Sequence, residues 1–136
     1  MYQPAVYLLR RAAALVPAQG NQSLALPHIS VPDISWIDWP ALKAAGFKAC
    51  VFDKDNTLSE PFALVVPTQL LPSFQQCQAE FGSSKLVLYS NSAGLRQYDP
   101  QGEEAASLER AFGVHVLRHT DKKPAGGSEE LQEYCG

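Results

Sequence analysis

Cysteine is scarce and unpatterned. Cys50, Cys77 and Cys135 are the only three, widely spaced and without metal-ligand spacing, which fits a reducing compartment. No apolar run approaches the roughly 18 residues that a membrane-spanning helix needs. There is no internal repeat and no low-complexity tract. Positive net charge is also missing: the balance is −3, which argues against non-specific nucleic-acid binding, and no nucleic-acid partner is expected. Acids are absent from the first 32 residues, where Arg10 and Arg11 are the only fixed charges. What remains is a chain of 136 residues with 46% hydrophobic and 18% charged content. That suffices for one domain burying about two-thirds of its unfolded surface.

The most informative stretch is Cys50-Val51-Phe52-Asp53-Lys54-Asp55-Asn56-Thr57-Leu58. Lys48 to Phe52 reads as a short buried parallel strand that stops at two aspartates. Residues at i and i+2 share a face of a strand, so Asp53 and Asp55 are expected to aim at one opening beyond its carboxyl end. Open α/β sheets bind ligands there. Two carboxylates about 5 Å apart repel by roughly 3 kcal/mol at an effective dielectric of 20. A hard cation between them, or one carboxyl kept protonated, removes that cost. Both conditions suit phosphoryl transfer, with one aspartate as nucleophile and the other as acid and base. A plain surface turn is the competing reading. An EF-hand loop fails, because Leu58 stands at its glycine position and Leu64 at its twelfth.

Along the rest of the chain, Val6, Leu9, Ala13 and Val16 recur at helical spacing, predicting a helix over 1–17. With Arg10 and Arg11 it suits an Arg-rich targeting peptide, a helix lying on an anionic membrane, or a helix packed on the domain. A proline-punctuated linker follows from Gly20 to Pro32, so the expected division is 1–32 and 33–136. Asp38 can cap a short helix through Ala45, with Gly46 past its end. Trp36 and Trp39 are expected to pack onto the domain, with membrane-interface anchoring as the alternative. A helix is expected from Thr68 to Phe81, a strand from Lys85 to Tyr89, and a helix from Glu103 to Phe112. A strand from Val114 to Leu117 and a helix after Ser128 complete the pattern. This alternation predicts an α/β fold, a Rossmann-like parallel sheet with flanking helices. Three polar clusters fall at strand carboxyl ends, hence on one rim.

Those clusters are Asp53-Lys54-Asp55-Asn56-Thr57-Leu58, Tyr89-Ser90-Asn91-Ser92-Ala93-Gly94 and Arg118-His119-Thr120-Asp121-Lys122-Lys123-Pro124. In that order they resemble the haloacid dehalogenase superfamily of aspartate-nucleophile phosphatases. More narrowly they are similar to the phosphatidylglycerophosphate phosphatases of mitochondria, with plastid and bacterial relatives. The resemblance runs from about Val31 to the end. It implies Asp53 as nucleophile, Asp55 as acid and base, and Lys123 or Lys122 as the lysine that offsets charge. It implies phosphate contacts from the Ser90 hydroxyl and from backbone N–H groups at Asn91 and Lys54. His119 is a candidate substrate contact, and Thr57 is expected to orient the Asp55 turn. It also implies Mg²⁺ held by the Asp53 carboxylate and the carbonyl of Asp55, and a mitochondrial (inner-membrane, matrix-side) or plastid location with peripheral membrane association.

The stretch between Asp55 and Ser90 is consumed by a loop, a helix and a strand, so the domain is expected to be capless. An uncovered rim favours a large or membrane-held phosphomonoester. The superfamily's fourth motif, Gly-Asp-x-x-x-x-Asp, has no match before Gly136. The expectation is therefore a domain incomplete at its C-terminus, with the Lys48–Phe52 strand left as an exposed edge and Mg²⁺ held poorly. The alternative function is a non-catalytic product that binds a phosphate ligand or a membrane, or a phosphatase of another large substrate.

Overall fold

Ala49–Phe52 (β2) is buried along its whole length and lies inside a four-stranded sheet, seen in a computed structural model that describes residues 6–9, 29–123 and 125–135. On one side β2 pairs in parallel with Leu86–Leu88 (β3), which pairs in parallel with His115–Val116 (β4). On the other side Val6–Leu9 (β1) runs antiparallel to it, Val6 opposite Phe52 and Leu9 opposite Ala49. The helices are Trp39–Ala44 (α1), Leu71–Phe81 (α2), Glu103–Phe112 (α3) and Ser128–Cys135 (α4).

Alternation along the strands divides the core. Cys50, Phe52, Leu86, Leu88 and Val116 face α1, α2 and α3, meeting Trp39, Phe74, Cys77, Phe81, Leu108 and Phe112. Val51, Val87 and Tyr89 face the other way and, with Leu117, are covered by Leu131 of α4. Both crossovers therefore pack on one face, as parallel strands joined by helices demand. Trp39 anchors the thick side. Its ring meets Phe52 and Phe81 edge-on, and its indole N–H donates to the Ser73 hydroxyl at 2.8 Å. That hydroxyl donates in turn to the Ile34 carbonyl at 2.7 Å, tying the 3₁₀ turn Ile34–Trp36 to the first turn of α2. Trp36 itself faces solvent.

Several expectations need correction. Val6–Leu9 is a strand and not part of a helix. A short isolated helix is marginal in water, whereas the free edge of β2 offers a ready ladder of N–H and C=O groups. For the same reason β2 is not an exposed edge: β1 occupies it. Arg10, Arg11 and most of the linker lie outside the described residues. The second long helix begins at Leu71, three residues later than expected. Pro72 has no N–H to donate and belongs in a first turn, so the helix starts where that loss is harmless. The last strand is only His115–Val116, although the Leu117 N–H still bonds the Leu88 carbonyl at 2.8 Å. The Asp38 cap, the Glu103–Phe112 helix and the helix from Ser128 stand where the pattern put them.

The connection from β3 to α3 is held by Asp99. Gly102, at the N-cap of α3, has no side chain to offer the first-turn amides. Asp99 reaches them instead, accepting from Glu104 at 3.2 Å and Ala105 at 2.9 Å, and also from Gly94 at 3.0 Å. Burial pushes its carboxyl up, but the three N–H donors and the Arg118 charge outweigh this, and its pKa lies below the usual value. A depressed carboxylate contributes stability above its unfolded value of about 4 and loses it as pH falls through the lower folded value. Asp99→Ala is expected to cost about 1–2 kcal/mol in urea unfolding at neutral pH. The smaller deficit of Asp99→Asn should narrow as the pH is lowered below about 4. A deficit that stays constant down that range would show that the charge of Asp99 contributes nothing.

Candidate active site

The carboxyl ends of β2, β3 and β4 open onto one rim, and each delivers polar residues to it. Asp53 is the first residue beyond β2. The chain then turns sharply. The Lys54 carbonyl accepts from the N–H groups of Thr57 at 3.2 Å, Leu58 at 2.9 Å and Ser59 at 3.2 Å, and Asn56 takes a left-handed φ of 63°. Asparagine tolerates that conformation better than most residues. The turn swings Asp55 back so that Lys54, only 3% exposed, places its ammonium 2.8 Å from Asp55 Oδ1.

Lys123 reaches the same rim from beyond β4. Its ammonium lies 2.6 Å from Asp53 Oδ1 and donates to the Tyr89 carbonyl at 2.7 Å. Its backbone N–H donates to Asn91 Oδ1 at 2.8 Å. Of the two lysines left open by sequence, Lys123 is therefore the one on Asp53. Lys122 turns away, exposed, to bond the Tyr98 hydroxyl at 2.9 Å with its ammonium over that ring. Each aspartate thus has its own ammonium.

Ser90 and His119 sit beneath. Ser90 is buried, its Oγ accepting from the Ser92 N–H at 3.1 Å and lying 3.0 Å from the Ser92 hydroxyl. His119 is not placed to touch a substrate. It is 4% exposed, and both ring nitrogens are taken, Nδ1 at 2.7 Å from the Asp121 carbonyl and Nε2 at 2.7 Å from that of Ser90. Its ring stands edge-on to Tyr89, with centroids 4.7 Å apart. It works as a strut that sets the loop bearing Lys123 against the loop bearing Ser90. A second tie runs alongside: the His119 N–H bonds the Gly94 carbonyl at 2.9 Å, and the Arg96 N–H bonds the His119 carbonyl at 3.0 Å. Gly94 is required there, because its φ is 81° and a Cβ would strike the Leu117 carbonyl oxygen. Arg118 belongs to the scaffold, paired with Glu109 of α3.

Sequence reasoning missed two roles. Lys54 was expected to offer its backbone N–H; its side chain proves to pair with Asp55. Asn91 was expected to offer its backbone N–H; its side chain proves to position Lys123. Thr57 is buried inside the turn. Among the described residues no group of three or more His, Cys, Asp or Glu side chains could hold a metal ion.

A lysine on the aspartate beyond the central strand is what the resemblance called for, and comparison with known sequences bears on the family. The chain is similar to phosphatidylglycerophosphate phosphatase 1, chloroplastic, of Chlamydomonas reinhardtii, at 64% identity over 117 residues, covering 86% of this chain and 43% of that protein. It is 47% identical over 116 residues to the chloroplastic/mitochondrial phosphatidylglycerophosphate phosphatase 1 of Arabidopsis thaliana, covering 85% and 33%. A mitochondrial phosphatidylglycerophosphatase of Saccharomyces cerevisiae is 32% identical over 114 residues, covering 84% and 60%. The chain thus spans less than two-thirds of the length of each of these relatives. No solved structure matches it. The sequence model described as mitochondrial PGP phosphatase matches residues 11–136, a span that holds every residue of the rim, and the chain belongs to that family.

Proposed function

We propose that this chain carries the phosphoryl-transfer site of a phosphatase that converts phosphatidylglycerophosphate to phosphatidylglycerol and phosphate. The observation that carries the reading is the Asp53 carboxylate at the end of β2, with Lys123 on one oxygen and the other outside that pair. The unpaired oxygen attacks phosphorus, the bond from phosphorus to the glycerol oxygen breaks, and an aspartyl-phosphate forms. Asp55 gives the leaving oxygen its proton, then takes one from the water that cleaves the intermediate. The Lys123 ammonium uses two of its N–H bonds on Asp53 and Tyr89, which leaves the third for a phosphoryl oxygen. The Ser90 hydroxyl, 3.0 Å from that of Ser92, is the other group that can donate to the phosphoryl oxygens.

Mg²⁺ belongs to the same proposal. It is commonly held by one or two carboxylates, waters and phosphate oxygens, and the oxygen donors of Asp53 and Asp55 suit it chemically. The Asp53 carboxylate and the backbone carbonyl of Asp55 would hold the ion, which leaves the Asp55 side chain for proton transfer. When bound it supplies neutralising charge against the incoming phosphate. The names of the relatives support a plastid or mitochondrial setting, with the inner membrane's matrix side as the mitochondrial site and peripheral association with the lipid surface. A second reading, phosphate-ligand binding without turnover, draws on one observation: no third carboxylate joins the two aspartates in a metal-binding group among the described residues.

Phosphate release from phosphatidylglycerophosphate in Mg²⁺ buffer separates the two. Asp53→Asn should lower turnover by at least about 10³-fold, since an amide cannot form the acyl-phosphate. Asp55→Asn should cost about 10²–10⁴-fold while phosphate binding survives. No release by the unaltered chain, with phosphate still bound, would establish the second reading. Release that persists in Asp53→Asn would overturn the mechanism.

The lysines provide a further test. Lys123→Ala should reduce turnover by about 10²–10³-fold, the usual loss for one donor to a developing charge. Lys122→Ala should leave turnover close to that of the unaltered chain, because its ammonium sits on Tyr98. The reverse order would mean that Lys122 swings into the site when substrate binds.

A further inference from the structure

Exposed large apolar side chains are distributed unevenly over this molecule. Among the described residues seven are open: Phe62 is 84% exposed, Trp36 and Val65 are each 70% exposed, Ile29 is 55% exposed, and Leu64, Leu71 and Tyr98 are exposed to a lesser degree. All but Ile29, six in number, lie at one end of the sheet. Phe62, Leu64 and Val65 belong to the connection that leaves Asp55 and runs to α2. Leu71 opens α2, which starts at the carboxyl end of β2 and runs back down the sheet. Trp36 is fastened to that first turn through the Ser73–Ile34 hydrogen bond. Tyr98 lies in the connection that leaves β3 and holds Lys122. At the opposite end, the described connections Gly46–Lys48, Gly82–Lys85 and Gly113–Val114 hold no such residue, and their Phe47 and Val114 are buried.

Phe62 is the most telling of the six. The Ala63 N–H bonds the Glu60 carbonyl at 3.1 Å, closing a four-residue turn with Pro61 and Phe62 at its centre. Phe62 has a φ of 62° in the position after proline, where a turn of this kind favours glycine. A bulky residue there is strained, and this ring gains almost no burial in return. A residue that breaks a local rule without a packing gain marks a functional position.

Resting on the lipid-substrate reading, we propose that this rim is a membrane-docking face. Phe62, Leu64 and Val65 enter the acyl boundary while Trp36 and Tyr98 sit at headgroup depth. Three features favour a bilayer over a protein partner. The apolar groups come from separate segments, the Phe62–Val65 connection, Trp36 and Tyr98, and not from one helix face. The most exposed one stands at a convex turn, which enters a fluid surface more readily than it fits a rigid one. Trp and Tyr are the residues that membrane interfaces favour. Docked this way, the rim presents Asp53 and Lys123 to phosphate groups at the bilayer surface.

The test uses vesicles of phosphatidylcholine and phosphatidylglycerol with the whole chain. Trp36 and Trp39 are its two tryptophans, and Trp39 is fully buried, so a blue shift on adding vesicles reports Trp36. Vesicle co-sedimentation is expected together with that shift. Phe62→Gly and Val65→Ser should each weaken binding by about tenfold, the effect of withdrawing one large apolar side chain from burial. Phe62→Gly should also keep or raise the melting temperature, because it relieves the turn. A residue with a merely structural role would show the opposite. Absence of vesicle binding by the unaltered chain, or binding unchanged in both variants, would overturn the proposal. So would a Trp36 shift that arises without vesicles through self-association lost in Phe62→Gly, which would mark the rim as a protein interface. Phe62-dependent vesicle binding without any lipid phosphatase activity would support the docking face and tell against the enzymatic reading.

Discussion

The contact between Asp53 and Lys123 joins residues 70 apart in sequence, and the rim is organised around it. Ion pairs that solvent can reach contribute about 1 kcal/mol or less to stability, so this one does not hold the fold together. The fold has to hold it. Asp53 is placed by β2, which is buried on both faces and paired on both edges. Lys123 is placed by the segment after β4, which would wander without ties to its neighbour. Asn91 fixes its backbone, the Tyr89 carbonyl takes one of its protons, and His119 braces the whole segment against Ser90.

These ties share a requirement, close approach of the chains leaving β3 and β4. Gly94 permits it by having no Cβ to meet the Leu117 carbonyl. Asp99 then gathers the β3 exit, collecting the Gly94 amide together with the first-turn amides of α3. Tyr89 serves the other face of the sheet. It stacks edge-on against His119, and its hydroxyl donates to the Gly126 carbonyl just ahead of α4. The residues beneath the rim are thus mostly engaged with the backbone, and the carboxylates and ammonium groups above them are what remains for a ligand.

Charge at the rim is arranged in pairs, with Lys54 on Asp55 and Lys123 on Asp53. Pairing lowers the repulsion that two bare carboxylates would exert on a phosphate dianion, and it orients the free oxygen of each. Around them, exposed apolar side chains such as Phe62 and Val65 stand among charged ones such as Glu60 and Lys122. The same loops that position the aspartates also carry the exposed side chains, so site and surroundings are built from one set of connections.

The sequence by itself determined the α/β class, the parallel sheet and the end of it that bears the site. Those follow from local signals: apolar runs of strand length, helices with acids or caps at their starts, and polar clusters at strand ends. It also determined that Asp53, Asp55, Ser90 and a lysine near residue 123 would share a rim. The choice between Lys122 and Lys123 was left to tertiary structure, since adjacent residues in a turn point in directions that only their distant partners, Tyr98 and Asp53, distinguish. Packing likewise took His119 from the surface into a strut and turned Lys54 onto Asp55. The fate of Val6–Leu9 was decided the same way. Its spacing suits a helix, but the unpaired edge of β2, which no local pattern reveals, made a strand the better solution.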